Sequence, residues 1–405
     1  MNAPHSLSLL SGVEMAPRDP ILGLTEAYNA DKNPKKVNLG VGVYTGDDGK
    51  VPLLECVRRA EQHLMEQPAP RNYLPIDGLA VYDKAVQGLV FGADSAALKE
   101  GRIITIQTLG GTGGLRVGAD FLRRTAPKAT LWISNPSWEN HRAVFENAGF
   151  KVDTYTYYDA KTRGVDFDGM LAALKAMPAG DIVLLHACCH NPTGVDLNEA
   201  QWKTVAETMA ARGLVPFLDI AYQGFAESLD ADGAAVRMFA NTGMPLFVAN
   251  SFSKSFSLYG ERVGSLNVVA ASSDESARVL SQIKRLVRAN YSNPPTHGSK
   301  IVSTILANPE LRTLWEQELG QMRERIKSMR KLLVEKIHAR VPGVDFSFIM
   351  RQRGMFSYSG LTKEQVVRMR EEFAVYAIES GRICVAALNT RNVDYSADAI
   401  AKVIS

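Results

Sequence analysis

Lys254 directly follows an apolar run, Leu246–Ser251, that has the length of a buried strand. The carboxyl ends of strands in open α/β sheets line the crevice in which ligands bind. An unprotonated lysine amine in such a place can form a Schiff base with a carbonyl compound. Most lysines are exposed surface residues, however, so Lys254 alone does not decide between a reactive amine and a surface charge.

Ser251 and Arg262 flank this lysine, three residues before it and eight residues after it. A hydroxyl group and a planar guanidinium group suit the binding of an anionic phosphate. The competing interpretation pairs Arg262 with the carboxylate of the adjacent Glu261.

A glycine-rich segment, which includes Gly111 and Thr112, offers a second phosphate site. A turn of this kind that enters a helix leaves free N–H groups to hold an anion. The segment does not fit the G-x-G-x-x-G dinucleotide pattern, because Arg116 stands where a glycine is needed, and it lacks the lysine of a P-loop. Taken alone, it is a weak signal.

Asp219 ends another apolar run, Val215–Asp219, and Tyr222 follows three residues later. A carboxylate at a strand end can keep an aromatic ring nitrogen protonated, and a phenol can donate to an oxygen on the same ring. The alternative makes Asp219 a helix N-cap and Tyr222 a core aromatic residue.

Two further segments carry polar or aromatic groups just beyond apolar runs. Asn191 lies in Asn-Pro-Thr-Gly, which is strong turn chemistry, and its amide could also donate to a ligand. Trp138 could stack on a flat ring or simply pack in the core. The adjacent Cys188 and Cys189 are interpreted as small buried residues, and no metal site is predicted, since no metal-ligand spacing accompanies them.

The elements that must position these groups alternate between strands and helices. Strands are predicted at Arg102–Gln107, Thr130–Ser134, Lys151–Tyr155, Asp181–His186, Val215–Asp219, Leu246–Ser251 and Ser265–Ala270. Helical patterns are predicted between many of them, at Leu115–Arg124, His141–Asn147 and Gln201–Arg212. This alternation favours an α/β core with a mostly parallel sheet.

The pattern changes after about residue 310, where Leu311–Arg340 is a long charged stretch with apolar residues at helical spacing. We predict an N-terminal arm at 1–15 that needs a partner surface, a large domain at 49–315, and a smaller α/β domain from 16–48 and 316–405.

Composition excludes several classes of protein. The 405 residues carry 46 basic and 43 acidic side chains, a net charge of +3, so neither nucleic acid nor a membrane surface is an expected partner. Four cysteines without a CxxC pair favour a reduced, cytoplasmic setting. No signal peptide and no run of 18 apolar residues is recognised.

The segments around Gly111, Trp138, Asn191, Asp219 and Lys254, in this order, resemble class I aminotransferases of the fold-type I pyridoxal phosphate family. The closest likeness is to the aspartate and aromatic (tyrosine) branch, and it covers essentially the whole chain. It implies a large domain with a mostly parallel seven-stranded sheet, a smaller α/β domain, and pyridoxal 5'-phosphate as cofactor. A nicotinamide enzyme is disfavoured by the missing dinucleotide pattern.

The resemblance also implies a role for each residue. Lys254 carries the cofactor as a Schiff base and moves the substrate proton. Asp219 pairs with the ring nitrogen, with His141 behind it and His186 as a further candidate for that place. The remaining cofactor contacts are Tyr222 and Asn191 at the ring oxygen, Trp138 on the ring face, and Gly111, Thr112, Ser251, Arg262 and the neighbouring subunit's Tyr73 at the phosphate.

Substrate recognition is implied for two arginines. Arg382 is expected to bind the α-carboxylate, and Arg288 to reach across a homodimer to the distal carboxylate of a dicarboxylic substrate. Gly42 lies in a loop expected to close over the substrate, which Trp138 and Asn191 also contact. The expected substrates are amino acids and 2-oxo acids, with active sites shared between the two subunits.

The choice of amino acid stays open between two readings of the sequence. Ser255 and Ser257 resemble the aromatic branch, whereas Asn72, Thr112 and Asn293 resemble aspartate enzymes. We expect tyrosine and phenylalanine as well as aspartate and glutamate to react, with 2-oxoglutarate as acceptor. The alternatives are a strict aspartate aminotransferase and a pyridoxal phosphate enzyme of the same fold that does not transaminate.

Overall fold

A seven-stranded sheet lies at the centre of the molecule, in a computed structural model that describes residues 8–16 and 21–405. In chain order the strands are β1 Val37–Asn38, β2 Ile103–Leu109, β3 Thr130–Asn135, β4 Lys151–Thr156, β5 Tyr158–Asp159, β6 Gly164–Val165, β7 Ile182–His186, β8 Val215–Ile220, β9 Leu246–Ser251, β10 Val263–Val269, β11 Phe356–Tyr358, β12 Val375–Tyr376 and β13 Arg382–Cys384.

Helices cover the faces of this sheet and build the C-terminal part of the chain. They are α1 Leu22–Ala30, α2 Glu55–Glu66, α3 Ala80–Phe91, α4 Ala96–Lys99, α5 Gly110–Thr125, α6 Glu139–Asn147, α7 Phe167–Ala176, α8 Glu199–Arg212, α9 Leu229–Ala240, α10 Ser273–Asn290, α11 His297–Ala307, α12 Pro309–Arg340, α13 Lys363–Phe373 and α14 Val393–Ile404, with short 3₁₀ helices at Ser347–Arg351 and Val385–Ala387. Within the described ranges, none of these helices is both long and apolar enough to span a bilayer.

The strand order in the central sheet is β2-β10-β9-β8-β7-β3-β4. Every neighbouring pair is parallel except the two made by β10, which runs antiparallel to β2 and to β9. The first residues of β10 therefore lie beside the last residues of its neighbours, with Val263 opposite Leu109 and Gly264 opposite Ser251. One edge of the sheet thus gathers the ends of most of its strands.

The predicted α/β fold with a mostly parallel seven-stranded sheet is confirmed, and each predicted strand lies within about two residues of an observed one. Strand β7 is buried along its whole length, as a continuous apolar run requires when both faces are covered. Helix α8, predicted at Gln201–Arg212, begins two residues earlier after a reciprocal capping box between Asn198 and Gln201, and Gly213 caps its end.

Helix α5 starts earlier than the sequence suggests. The glycines expected in a turn belong to its first turns, because the helix begins at Gly110, directly after β2. Close packing explains the difference: a Cβ atom at Gly114 would lie 2.7 Å from the carbonyl oxygen of Ser265 in β10. Glycine thus lets the helix approach the sheet more closely than any side chain would permit.

The C-terminal part of the chain packs with residues from near its beginning. Val37 and Asn38 pair in parallel with Val375 and Tyr376, and β11 pairs with β13. The predicted long helix is α12, and its apolar stripe is buried: Met322, Ile326, Met329, Leu333 and Ile337. Where the chain divides into domains stays a prediction.

The predicted arm lies partly outside the described residues. In the segment that the structure does describe, 8–16, large apolar side chains are exposed, with Leu9 and Met15 each 96% exposed. That is the pattern expected of a segment that awaits a partner surface.

Asp83, in the first turn of α3, has a side-chain carboxyl group that is buried where its charged form is unfavourable. Its Oδ1 atom is buried without a hydrogen-bond partner. Burial raises the pKa of Asp83 to about 8, repulsion from Asp77 adds to the rise, and Lys284 opposes it. The carboxyl group is therefore protonated in the folded protein at neutral pH.

We predict that Asp83→Asn stabilises the protein more at high pH than at low pH. Because the folded-state pKa is raised, the wild-type protein loses stability as pH rises from about 4 to about 8, where only the unfolded chain ionises this group. The gain in Tm from the substitution should grow across that interval and level off above it. The control is Asp94→Asn, since the Asp94 side chain is fully exposed; an equal pH-dependent gain there would contradict the assignment.

Candidate active site

A cavity of about 170 Å³ opens at the edge of the sheet where most of the strands end. Residues from the ends of β7, β8 and β9 meet residues from the C-terminal part of the chain. Its lining consists of Ile21, Gly42, Trp138, His186, Cys188, Asn191, Asp219, Ala221, Tyr222, Lys254, Phe356 and Arg382.

Asp219 supplies the negative charge of this cavity. Burial raises the pKa of its carboxyl group, but a hydrogen bond from His141, together with nearby positive charges such as Lys254, outweighs burial and holds the pKa below its ordinary value. His141 Nε2 lies 2.9 Å from Asp219 Oδ2, and its Nδ1 lies 3.0 Å from the hydroxyl of Ser137. The chain Ser137–His141–Asp219 therefore keeps an anion in a largely dry place.

Lys254 follows β9 and points its amine into the same cavity. Its Nζ lies 5.1 Å from the centre of the Tyr222 ring. Burial lowers the pKa of Lys254 to about 8, the carboxylate of Asp219 opposes this, and Arg262 and Arg382 add to it. An amine with that pKa has a substantial unprotonated fraction near neutrality, which Schiff-base formation requires.

The predicted phosphate-binding residues lie together at the junction of β2, β9 and β10. A Cβ atom at Gly111 would lie 3.1 Å from the Cβ of Ser251. The Arg262 backbone carbonyl accepts a hydrogen bond from Gly110 N, and its guanidinium lies over the same glycine, 2.5 Å from the position of a Cβ atom there. Gly110 and Gly111 carry no side chain at the start of α5. An anion can therefore approach the N–H groups of Gly111 and Thr112 in the first turn of this helix.

Arg262 does not pair with Glu261 in the described chain, contrary to the competing interpretation. Its Nη1 donates to the Ser253 hydroxyl at 3.3 Å and to the Tyr259 carbonyl at 3.2 Å. The guanidinium is exposed on its other side. It is therefore held in place by neutral groups, which leave its charge available for an anion.

Arg382 is almost fully buried, yet no carboxylate of the described residues pairs with it. Its Nη1 donates to Asn191 Oδ1 at 3.1 Å, its Nη2 donates to the Gly40 carbonyl at 2.7 Å, and its guanidinium lies 4.3 Å from the centre of the Phe356 ring. Its Nε is buried without any partner. A buried guanidinium with an unused donor is suited to an incoming carboxylate.

Trp138 and Gly42 form opposite parts of the cavity wall. Trp138 lies just before α6, and its ring meets His141 edge-on, with 5.1 Å between ring centres. Gly42 lies beneath the Phe356 ring, where a Cβ atom would be only 2.7 Å from Cζ. The cavity is therefore narrow and lined by flat rings, as a planar aromatic ligand requires.

The class of the chain follows from comparison with known proteins. The family model described as aminotransferase class I and II matches residues 34–400. The chain belongs to this aminotransferase family. It is 60% identical to an aspartate aminotransferase of Pseudomonas aeruginosa, over 98% of this chain and 100% of that protein. It is 51% identical to a tyrosine aminotransferase of Klebsiella pneumoniae, over 95% of this chain and 98% of that protein.

The aminotransferase uses pyridoxal 5'-phosphate, and one solved structure illustrates the likeness. An aromatic-amino-acid aminotransferase from Burkholderia pseudomallei, covalently bound to pyridoxal phosphate, superposes with a TM-score of 0.96 at 65% identity, covering 98% of this chain and 100% of that chain. The residues fit this cofactor. The cavity offers an amine for its aldehyde and an anion for its ring nitrogen. The start of α5 with Arg262, whose charge is near enough to lower the pKa of Lys254, suits its phosphate.

Six of the predicted site residues do not line this cavity: Gly111, Thr112, Ser251 and Arg262, which lie at the junction of β2, β9 and β10, and Tyr73 and Arg288. Tyr73 is 91% exposed, and Arg288 is exposed near the end of α10, where it hydrogen-bonds to Ser292. Neither residue lines the cavity of its own chain. Their assigned role, in the neighbouring subunit's site, is consistent with this placement and stays a prediction.

Four lining residues were not predicted from the sequence: Cys188, Ala221, Phe356 and Ile21. Cys188 stands three residues before Asn191 and could have been found from that spacing. Phe356 and Ile21 are apolar residues in segments far from any polar motif, so no chemical signal marked them. His186, assigned with less certainty, lines the cavity with both ring nitrogens unpartnered, and burial lowers its pKa to about 3.

Cys188, Cys189 and Asp232 place their ligand atoms within 4.8 Å of one another, which raises the question of a metal ion. The carboxylate of Asp232 already accepts backbone hydrogen bonds from Gly224, Ala226 and Glu227. The adjacent Cys189 and burial raise the pKa of Cys188, and burial raises that of Cys189 to about 11. Protonated thiols and an occupied carboxylate are poor ligands.

The cofactor-free aminotransferase should show a lysine that titrates near pH 8, and Lys254→Ala should remove that signal. We expect Asp219→Asn to lower this pKa further, since the carboxylate favours the charged amine, and Arg262→Gln to raise it. The titration can be followed by NMR after reductive ¹³C-methylation of the lysines. An inflection at pH 10 or above in the wild-type protein would contradict the proposed environment.

Proposed function

We propose that this aminotransferase transfers amino groups from tyrosine and phenylalanine, and also from aspartate and glutamate, to 2-oxoglutarate by a ping-pong mechanism. The observation that carries the proposal is the convergence of the Lys254 amine, the Asp219 carboxylate and the Arg382 guanidinium on one cavity. The similarity to proteins named for aspartate, tyrosine and aromatic amino acids supports both substrate classes.

Bound pyridoxal phosphate supplies an electron sink that makes the substrate Cα proton acidic. Lys254 Nζ accepts that proton, and its lowered pKa makes the free amine available as the base. Asp219 holds a positive charge on the ring nitrogen, supported by His141. Arg382 binds the α-carboxylate with its planar fork and so orients the Cα–H bond toward the lysine.

Asn191 is oriented by the same arginine. Because its Oδ1 accepts a hydrogen bond from Arg382 Nη1, the N–H groups of its amide nitrogen Nδ2 are left as donors that can face a ligand oxygen. Burial raises the pKa of Tyr222 well above its ordinary value, so its hydroxyl stays a donor. Together these residues provide two neutral donors for the ring oxygen, while Arg382 carries the positive charge.

The proposed active unit is a cytoplasmic homodimer in which each site uses both subunits. Tyr73 and Arg288 support this, because both are exposed and neither lines the cavity of its own chain. Exposed apolar side chains on and beside α2 and α3 offer a surface for a second copy: Val51, Leu53, Met65 and Val81. The four cysteines are unpaired, which suits a reducing compartment.

A strict aspartate aminotransferase is the second candidate, and the similarity to the Pseudomonas aeruginosa protein of that name supports it. The broader range is favoured because Arg288 has no acidic partner among the described residues of its own chain, so its side chain can turn aside without breaking an ion pair there. An aromatic substrate would then meet no buried unpaired charge.

Steady-state kinetics with tyrosine and with aspartate, each against 2-oxoglutarate, should give kcat/KM values within about two orders of magnitude of each other. A value for tyrosine that is thousands of times lower would favour the strict aspartate enzyme. Lys254→Ala should remove activity with both substrates and the visible absorption band of the bound cofactor. Retained activity with both substrates would refute the assignment of the base.

Substitutions of Arg382 and of Arg288 should lower kcat/KM for different sets of substrates. Arg382→Gln should lower kcat/KM for every amino acid by about 100-fold or more, because it removes charge-assisted hydrogen bonds to a group that all substrates share. Arg288→Gln should lower it by a similar factor for aspartate while changing the value for phenylalanine less than about threefold. A uniform loss in Arg288→Gln would contradict the role proposed for this residue.

A further inference from the structure

Tyr73 and Arg288 belong to separate segments of the chain, but these segments lie on the same face of the molecule. Ile76, three residues after Tyr73, lines a surface recess of about 320 Å³ together with Lys284, Arg285, Arg288 and Ala289 of α10. The segment that carries Tyr73 therefore lies against the helix that carries Arg288, although more than two hundred positions separate the two residues in sequence.

An ion pair joins these two segments. Lys284 Nζ lies 2.8 Å from Asp77 Oδ2, and both side chains are partly shielded from solvent. Lys284 precedes Arg288 by four residues, so the two share one face of α10. Asp83 is close enough to compete for the lysine, but its raised pKa keeps it neutral at pH 7, which leaves Asp77 as the charged partner.

Gln107 in β2 hydrogen-bonds to both segments and so links them to the sheet. Its backbone N–H donates to the Asp77 carbonyl at 2.8 Å, and its side-chain amide donates to the Pro295 carbonyl at 2.6 Å, just beyond α10. Gly78, with φ of +108°, lies so close that a Cβ atom there would be 2.5 Å from Gln107 Cβ. The turn at Asp77–Gly78 and the segment after α10 are thus both hydrogen-bonded to β2. This strand ends at Leu109, two residues before Gly111 in the predicted phosphate-binding segment.

We propose that Asp77, Lys284 and Gln107 are positioning residues that hold Tyr73 and Arg288 as one unit for the active site of the other subunit. The proposal rests on the shared-site homodimer proposed above. The ion pair contributes little to stability, because both of its side chains are partly exposed to solvent. Its effect lies in geometry, since a misplacement of about 1 Å at a binding group can cost on the order of 100-fold in rate.

The first test compares substrates in Asp77→Asn and Lys284→Gln at saturating cofactor. We expect kcat/KM for aspartate to fall by about 10-fold or more, with less than a threefold change for phenylalanine, and we expect weaker binding of pyridoxal phosphate. The matched control is Asp394→Asn, which breaks a lysine–aspartate pair of 2.7 Å elsewhere on the surface. Equal losses for both substrates, or no loss, would overturn the proposal.

The second test determines which subunit's active site each substitution affects. It uses hybrid dimers that are purified through two different affinity tags. A Lys254→Ala subunit paired with an Arg288→Ala subunit should regain aspartate activity at one site, because the intact lysine and the intact arginine then meet across the interface. Failure of this hybrid would refute the shared-site homodimer itself, and the inference with it.

Once that hybrid is active, two further hybrids test the inference separately. A wild-type subunit paired with an Asp77→Asn/Lys254→Ala subunit should show the aspartate defect, because its only competent site receives Tyr73 and Arg288 from the altered partner. An Asp77→Asn subunit paired with a Lys254→Ala subunit should match the wild-type activity per competent site. A defect that follows the subunit with the competent lysine would mean that Asp77 acts within its own site, and would overturn the proposal.

Discussion

The negative charge of Asp219 is the constraint on which the rest of the site depends. A carboxylate in a buried cavity tends to take up a proton, and a neutral Asp219 could not hold a positive charge on a ring nitrogen. The hydrogen bond from His141, fixed by Ser137, offsets this tendency. Burial lowers the pKa of His186 to about 3, so this neighbouring imidazole stays neutral and adds no competing cation.

The topology of the sheet explains how distant residues reach this carboxylate. Parallel strands bring their carboxyl ends to one edge, so Asp219 on β8 and Lys254 after β9 meet there without a long loop. The reversed direction of β10 then places Arg262, which precedes that strand, against the start of α5. One antiparallel strand in a parallel sheet thus supplies a cation to the phosphate cradle.

Much of this arrangement could be predicted because the chemistry follows the strands in sequence. Most of the predicted strands are largely apolar runs, and Asp219, Asn191 and Lys254 stand within a few residues of such a run. Phe356 and Gly42 could not be assigned a place in the wall by the same reasoning. Their meeting depends on how the ends of the chain pack together, and neither residue has a polar group that marks it.

The limits of prediction also follow from the close packing of backbone elements. The start of α5 at Gly110 is set by contact with β10, which local helix propensity does not describe. Tyr73 and Arg288 were assigned by resemblance alone, because their proposed ligands belong to another copy of the chain. Their exposure fits that assignment, and only the interaction of two subunits can test it.

Arg382 and Arg288 differ in burial, and this difference fits the broad substrate range proposed above. Arg382 is buried and lacks an acidic partner among the described residues, so a substrate carboxylate completes an ion pair whose cation is already desolvated and oriented. Every amino acid carries that carboxylate. Arg288 is exposed in the single chain and has no acidic partner among the described residues, so its side chain can turn aside without breaking an ion pair within its own subunit. In the proposed reaction, Arg382 would therefore bind the α-carboxylate of every substrate in one fixed way. Arg288 would adjust to the substrate side chain.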